Sequence, residues 1–576
     1  MNRPLFISAA LVGCLYLAAA YAFFGTGGMF AGDSAILYLQ AKGLSGPGGA
    51  HAAFSYPAAS IDPDLRLFPF RDAFHGKFTW GTRTERYGKY SEAFARIASI
   101  FYRLAGPEGL PLPALAFGVG ALLVAALIAA AAGVRALWAI PLVLGLCTPV
   151  GYHALQFSSH TAGLFLAALS LLLSIRYIAR GSPAAIAAAG ASIGLATAFR
   201  PEMGLLLAAV PAGLLLVLRA RKAWVRSVLF LAAGALLTLA PQLARNYLRS
   251  GSLLGPQIVT EAGVHAERPE SQLHVARMHL LPAGPKKWAL VAGMALAAWL
   301  LARRRRERLA EIAGMRPAYV PLLIACFGYA AITLAHLRGG YLPHIALTDV
   351  FPAAIAGLFA AFVFRDLLPA EKKGLTFLLS AVALFVLLVA FTAANWGGRG
   401  WGPRYALLSY LPLSILVCLA LERHWRERHS RSLTALVAGA GLSLLMLSFF
   451  VQGAGLVRER RERREFAAIS DGALSLASAP ILTDLAVYPQ LVAPAWDRLL
   501  VLGAVSCREV HAAVAQLGAK RIPEFWWVAT DYPPWQEWRM SRDGNRADCL
   551  RKEPVRAAGE RAVAGKLQYT LYRLEP

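Results

Sequence analysis

Two carboxylates, Asp33 and Glu92, bracket a polar, aromatic stretch that follows an apolar run near the N-terminus. The stretch from Gly32 to Arg103 also carries Arg66, Arg71, Arg83, Arg86 and Lys89. A carboxylate facing a pocket can take a proton from an attacking hydroxyl. Guanidinium forks match phosphate oxygens, and lysine supplies a point charge. If the protein does chemistry, it is expected here, at a membrane surface. Each feature also has a plainer use: Asp33 could cap a helix, and the same cations are drawn to anionic lipid headgroups. Gly32-Asp33-Ser34 opens an amphipathic stretch rather than ending a polar loop, which makes Asp33 the first candidate acid and Glu92 the second.

Further candidates lie at the ends of later apolar runs. His153 and His160 stand seven apart; interfacial rings are a commoner use of such a pair than ligation. Arg200-Pro201-Glu202 is a tight turn whose charges pair with each other or face a cavity, and ionisable groups at membrane depth are functional candidates by default. Arg245-Asn246-Tyr247 opens a long connection. The glycine-rich segment Asn395 to Tyr405 holds Trp396, Arg399, Trp401 and Arg404. Its glycines allow close backbone approach, and its tryptophans could stack on a sugar or form an interfacial belt. There is no lysine phosphate loop, no GxSxG and no HExxH, so ATP-driven transport, serine hydrolysis and zinc proteolysis have no motif.

The elements that must position these residues are membrane helices. The 576 residues are 57% apolar and only 16% charged, with a mean hydropathy of +0.50. Soluble domains carry more charge, so this is an all-α polytopic membrane protein. The first apolar run, 5–24, follows a short basic start and is read as a retained helix with its N-terminus inside. Further runs lie near 112–133, 136–152, 160–178, 184–199, 202–219, 227–243, 288–302, 318–336, 347–364, 375–394, 405–421 and 432–454. Together they make about thirteen spans, each needing about 20 residues. The net charge of +25 does not point to nucleic acid, because the basic residues cluster between apolar runs. With the N-terminus inside, every even-numbered connection is an inside loop and is basic, around Arg135, Arg180, Arg221, Arg304, Lys372 and Arg428. One run goes against this parity. Arg458 to Glu465 follows the last span, on the expected outside, and its interleaved glutamates suggest a surface helix.

The expected domains are a membrane part, 1–455, including the outside loop 25–111, and a soluble tail, 466–576. In the tail, 479–484, 525–528 and 569–572 read as strands and 510–518 as a helix, a small α/β module. Cys507 and Cys549 are its two cysteines, and if the tail lies on the outer, periplasmic side, an oxidising compartment, they could pair as a disulfide. Cys14, Cys147, Cys326 and Cys418 lie in apolar runs. No cysteine pair has metal-ligand spacing.

Taken together, Gly32-Asp33, the long first loop, Arg200-Pro201-Glu202, Arg245-Asn246-Tyr247 and Trp401-Gly402-Pro403-Arg404-Tyr405 resemble the C-type membrane glycosyltransferases, the GT-C superfamily. The chain is most similar to the bacterial aminoarabinose and dolichyl-phosphate-mannose transferase group and to envelope glycosyltransferases. The resemblance implies a GT-C-like fold of membrane helices, with juxtamembrane helices in the first outside loop. It implies a polyprenyl-phosphate-linked sugar as donor and an envelope lipid, glycan or protein as acceptor, in the inner membrane of a bacterium. By the motif match the catalytic acid is Asp33. Relatives often have Asp-Glu at this point, where this chain has Asp33-Ser34. Relatives differ in whether they use a divalent cation, so a metal stays open. The implied reaction is inverting transfer at the outer face, with arginines meeting the charge on the leaving lipid phosphate. The competing classes are a flippase or transporter of lipid-linked glycans and a non-catalytic assembly partner of the same fold.

Overall fold

The computed structural model describes residues 3–24, 33–46, 53–70, 79–81, 85–218, 220–258, 351, 353, 369–392, 404–426, 431–532 and 547–575. Seven of its helices are long and apolar enough to cross a membrane: Arg3–Phe23, Pro111–Ala131, His160–Arg180, Arg221–Ser250, Lys372–Thr392, Arg404–Glu422 and Gly439–Ser475. Two shorter apolar helices, Pro183–Phe199 and Pro201–Val217, accompany them. Apart from Phe351 and Ala353, the spans expected near 288–302, 318–336 and 347–364 lie outside the described residues, so the count of thirteen is not tested.

In chain order the bundle begins with α1 (Arg3–Ala18), which continues as a π-helical turn to Phe24. Tyr16 on α1 is buried and donates to the Gly145 carbonyl at 2.8 Å, which fastens α1 into the bundle. The first loop contains α2 (Asp33–Ser45), a two-stranded ribbon of β1 (Thr79–Gly81) and β2 (Arg86–Gly88), and α3 (Glu92–Ala105). After α4 (Pro111–Ala131), the run expected as one span near 136–152 is two helices, α5 (Ala139–Leu146) and α6 (Pro149–Leu155). Thr148 breaks it: its backbone is extended, and its side chain accepts from Val150 N to cap α6 ahead of Pro149.

The bundle continues with α7 (His160–Arg180), α8 (Pro183–Phe199), α9 (Leu206–Val217) and α10 (Arg221–Ser250). Glycines let α8 and α10 touch: a Cβ on Gly190 would stand 1.9 Å from the Leu231 carbonyl oxygen, and one on Gly234 1.9 Å from that of Ala187. Small residues at a crossing allow such an approach in a membrane. The bundle ends with α11 (Pro369–Thr392), α12 (Tyr410–Arg426) and α13 (Arg431–Ser475).

The expected boundary between span and tail is crossed by α13, a single helix of 45 residues. Within it the expected surface run from Arg458 to Glu465 is partly buried. Glu459 and Arg463 are 3% and 8% exposed and pair at 2.8 Å, while Tyr152 donates to Glu459 at 2.9 Å. The run is a surface helix on one face and a packed one on the other.

The tail is a five-stranded mixed sheet. β3 (Ile481–Thr483) lies parallel between β4 (Val501–Gly503) and β5 (Glu524–Thr530), and β7 (Leu567–Leu574) joins β5 to the edge strand β6 (Val555–Ala564) antiparallel. Two short helices, α14 (Tyr488–Leu491) and α16 (Ala547–Leu550), flank α15 (Cys507–Ala519). Cys507 and Cys549 form a disulfide across a Cα separation of 5.4 Å. The sheet shares its core with the first loop. Trp496 is fully buried against Phe68 and Phe70 and donates its indole N–H to the Ser55 carbonyl at 2.7 Å. The Gly503 amide donates to the Leu67 carbonyl at 2.7 Å, and Lys42 on α2 pairs with Asp497.

Candidate functional site

Asp33 is the first residue of α2, where a helix N-terminus favours negative charge. The helix behind it is buried from Ser34 to Ala41, which holds the acid in place. Gln40, fully buried on the same helix, donates to the carbonyls of Tyr90 at 2.9 Å and Gly88 at 3.3 Å. Glycine at position 88 leaves room for this contact, since a Cβ there would stand 2.7 Å from both Gln40 Cδ and Ile36 Cγ2 and would make one of them shift. The chain then delivers the Tyr90 hydroxyl, which donates to Asp33 Oδ1.

The cations come from distant elements. Ser91 caps α3 and its hydroxyl donates to the Ala198 carbonyl, so the end of α8 is tied to the first loop. Two residues on, Arg200 leaves the helix in extended backbone and lies 3.9 Å from Asp33 Oδ2, with its other edge on Glu202 at 2.7 Å. Arg404, at the start of a late span, donates to Asp33 Oδ2 at 3.1 Å. Tyr405 lies beneath both guanidinium groups, 5.1 Å from Arg404 and 5.6 Å from Arg200. Burial pushes the Asp33 carboxyl up, but Arg404, Arg200, the Tyr90 hydroxyl and Lys89 together outweigh it and hold the group below its ordinary value. The two arginines and two carboxylates in direct contact balance one another, with Lys89 acting from outside this cluster.

A second cluster is not neutral. Glu92 accepts from Arg96 at 2.9 Å and from Arg249, with Arg245 at 3.9 Å. Lys89, Glu92, Arg245 and Arg249 line a cavity of about 250 Å³, together with the amides Gln242 and Asn246 and the apolar side chains Leu239, Leu243 and Leu254. Three cations to one acid on its wall leave surplus positive charge. Tyr90 and Pro201 also line it, so this cavity adjoins the Asp33 cluster.

The structure therefore gathers Asp33, Arg200, Glu202 and Arg404, and beside them Lys89, Glu92 and Arg245. His160 is buried at the start of α7, its ring 4.8 Å from that of His153 and within electrostatic reach of Arg200 and Arg404. Arg66 is not brought in. It is exposed beside Asp64 at 3.3 Å, on a turn held by buried Asp62, which accepts from the amides of Arg66 and Leu67. Arg86 stands in β2, its carbonyl accepting from Phe54, and does not line the cavity. Arg71, Arg83, Trp396, Arg399 and Trp401 lie outside the described residues.

Sequence reasoning missed Arg249, Arg96, Tyr90 and Tyr405 as site residues. Arg249 and Arg96 follow Arg245 and Glu92 by four, a spacing that puts each pair on one helix face and could have found them. Nothing local marks Tyr90, which reaches Asp33 through the Gln40 contact.

Among the described residues no three His, Cys, Asp or Glu side chains gather as metal ligands do. The donor set at Asp33 does not fit a divalent cation either. One carboxylate oxygen faces two guanidinium groups and the other accepts from Tyr90, so a metal would meet cations rather than ligands.

No family model and no curated protein matches the chain. Solved structures do. The oligosaccharyltransferase AglB of Archaeoglobus fulgidus, in complex with an inhibitory peptide and a dolichol-phosphate, is 14% identical, with a TM-score of 0.52 over 98% of this chain and 74% of that one. The Archaeoglobus fulgidus oligosaccharyltransferase in complex with zinc and sulfate is 13% identical, with a TM-score of 0.51 over 95% and 70%. ArnT of Cupriavidus metallidurans bound to undecaprenyl phosphate is 13% identical over 98% and 97%, with a TM-score of 0.46. The likeness to the two oligosaccharyltransferase structures is one of fold.

Proposed function

We propose that the chain is an inverting glycosyltransferase that moves a sugar from a polyprenyl-phosphate-linked donor to an envelope lipid, glycan or protein at the outer face of the inner membrane. The observation that carries this reading is the adjacency of two differently charged clusters: a neutral one centred on Asp33, and a cavity wall with surplus cations. A lipid phosphate suits the cavity, its charge near Lys89, Arg245 and Arg249 and its chain toward the leucines. The acceptor oxygen attacks the anomeric carbon, and the bond from that carbon to the phosphate oxygen breaks. The acceptor's proton passes to Asp33 and the lipid phosphate leaves with the bonding pair. Asp33 is ionised at neutral pH because the arginines hold it so. That makes it a weak base, suited to a hydroxyl that grows acidic as its new bond forms. The cavity cations meet the charge growing on the leaving phosphate.

Glu92 takes a different part in this reading. Arg96, Arg245 and Arg249 gather on it at the cavity wall, and in this reading it orders those cations. Arg200 and Arg404 orient Asp33, and Arg66 and Arg86 take no part. In domain terms this is a membrane part, 1–455, and a tail, 466–576, that packs on the first loop. That packing supports putting tail and loop on the same side, and the basic inside loops support that side being the outer one.

The test is Asp33→Asn, with lipid-linked sugars and envelope glycans followed by mass spectrometry in cells with and without the protein. Transfer is expected to fall ~10²–10⁴-fold, the usual contribution of a positioned base. Normal transfer by Asp33→Asn with activity lost in Glu92→Gln would move the base to Glu92, and normal transfer by both would remove the carboxylate mechanism from this loop and leave a transporter or an assembly partner as the better reading.

A further inference from the structure

The run from Arg458 to Glu465 is left unused by the transfer chemistry. Its three glutamates are all occupied: Glu459 pairs with Arg463 at 2.8 Å, Glu462 with Arg458 at 3.0 Å, and Glu465 with Lys566 at 3.3 Å. Arg460 lies over the Phe23 ring at 4.3 Å. Arg461 and Arg464 are exposed and, among the described residues, form no ion pair or hydrogen bond.

Helical spacing places these two arginines on one face with Met446, Phe450 and Val457, which are 47%, 61% and 61% exposed. That face is apolar through the span and turns cationic at Arg461. The turn comes at the level of the membrane edge, because Phe23, beneath neighbouring Arg460, is the last residue of the first span. Unpaired cations on this side also run against the ordinary bias of basic residues toward inside loops.

We propose that Arg461 and Arg464 form a headgroup site for an anionic phospholipid of the surrounding leaflet. A lipid in contact with Met446, Phe450 and Val457 carries its phosphate to their depth. Guanidinium forks match a phosphodiester, and long arginine stems reach it from the helix. The glutamates of the run neutralise their own partners and leave this pair free to do so. The inference holds whichever reaction the protein carries out.

The test reconstitutes the full chain in phosphatidylcholine vesicles containing a trace of phosphatidylglycerol with a photoreactive diazirine near its headgroup. Parallel vesicles carry the same diazirine on phosphatidylcholine. Cross-links are mapped to peptides. Phosphatidylglycerol is expected to label 453–468 in preference to phosphatidylcholine. In R461Q/R464Q that preference is expected to fall about 30-fold, since each basic side chain at an anionic surface contributes about 1 kcal/mol and 1.4 kcal/mol is tenfold. R556Q/R561Q, which removes the same charge from the exposed edge strand of the tail, is expected to keep it. Equal labelling by both lipids in the parent protein, unchanged preference in R461Q/R464Q, or equal loss in R556Q/R561Q would each overturn the proposal.

Discussion

Arg404→Gln tests the arrangement at Asp33 without assuming any substrate. It removes the cation 3.1 Å from the carboxylate and leaves Arg200 at 3.9 Å and the Tyr90 hydroxyl. At an effective dielectric of ~20, two unit charges at that distance attract by roughly 5 kcal/mol before any screening. Both side chains are 18% exposed and Arg200 remains, so the net loss is smaller. About 2–3 kcal/mol is expected, at the low end for breaking a buried pair. The sign follows from the lowered Asp33 pKa. Stabilisation by the clamp is present above the ordinary carboxylate pKa and is lost as pH falls through the lower folded value. Without Arg404, burial is less opposed, so Asp33 protonates at a higher pH than in the parent protein. Infrared titration with labelled aspartate reads this directly, with the Asp33→Asn spectrum identifying the band. Arg200→Gln is expected to move the midpoint in the same direction but less, because Arg200 stands farther off. An unchanged or lower midpoint in Arg404→Gln, or a larger move in Arg200→Gln, would refute the clamp.

Gly88→Ala is expected to push β2 away from α2, since its Cβ would stand 2.7 Å from Gln40 Cδ. Tyr90 then leaves Asp33, and the same titration should show a raised midpoint; an unchanged one would mean that the Gln40 contact does not position Tyr90. Trp496→Ala removes a fully buried ring that bonds to the first loop, at a cost of about 3–5 kcal/mol. The tail is expected to come off the loop and become a protease substrate while the bundle stays intact, and parent-like resistance in limited proteolysis would show that the tail docks by other contacts.

By itself the sequence determined the class of protein and most of its helices. Apolar runs of spanning length have one low-energy fate in a bilayer, where every backbone group must bond within its own helix. Among the described residues most span ends fall within a few residues of the expected ones, and the tail strands at Ile481, Phe525 and Tyr569 were legible from their pattern. The strands β4 and β6 were not, because pairing partners rather than local pattern make them strands. Single candidate residues were also legible: Asp33, Arg200 and Arg404 stand out as charges at the ends of apolar runs. Their meeting was not. Arg404 is separated from Asp33 by 371 positions, and the two touch because of how their helices pack. The long α13 shows the same limit. Its charges suggested a surface, yet Glu459 and Arg463 are buried, because α6 supplies the Tyr152 hydroxyl and the Leu155 carbonyl that satisfy them. The tail was legible as a module but not as a partner of the first loop. Trp496 and Ser55 lie 441 positions apart, and only the packed structure brings an indole N–H to that carbonyl. Local pattern records what a segment can bury; which cation meets which acid is decided when those faces close on one another.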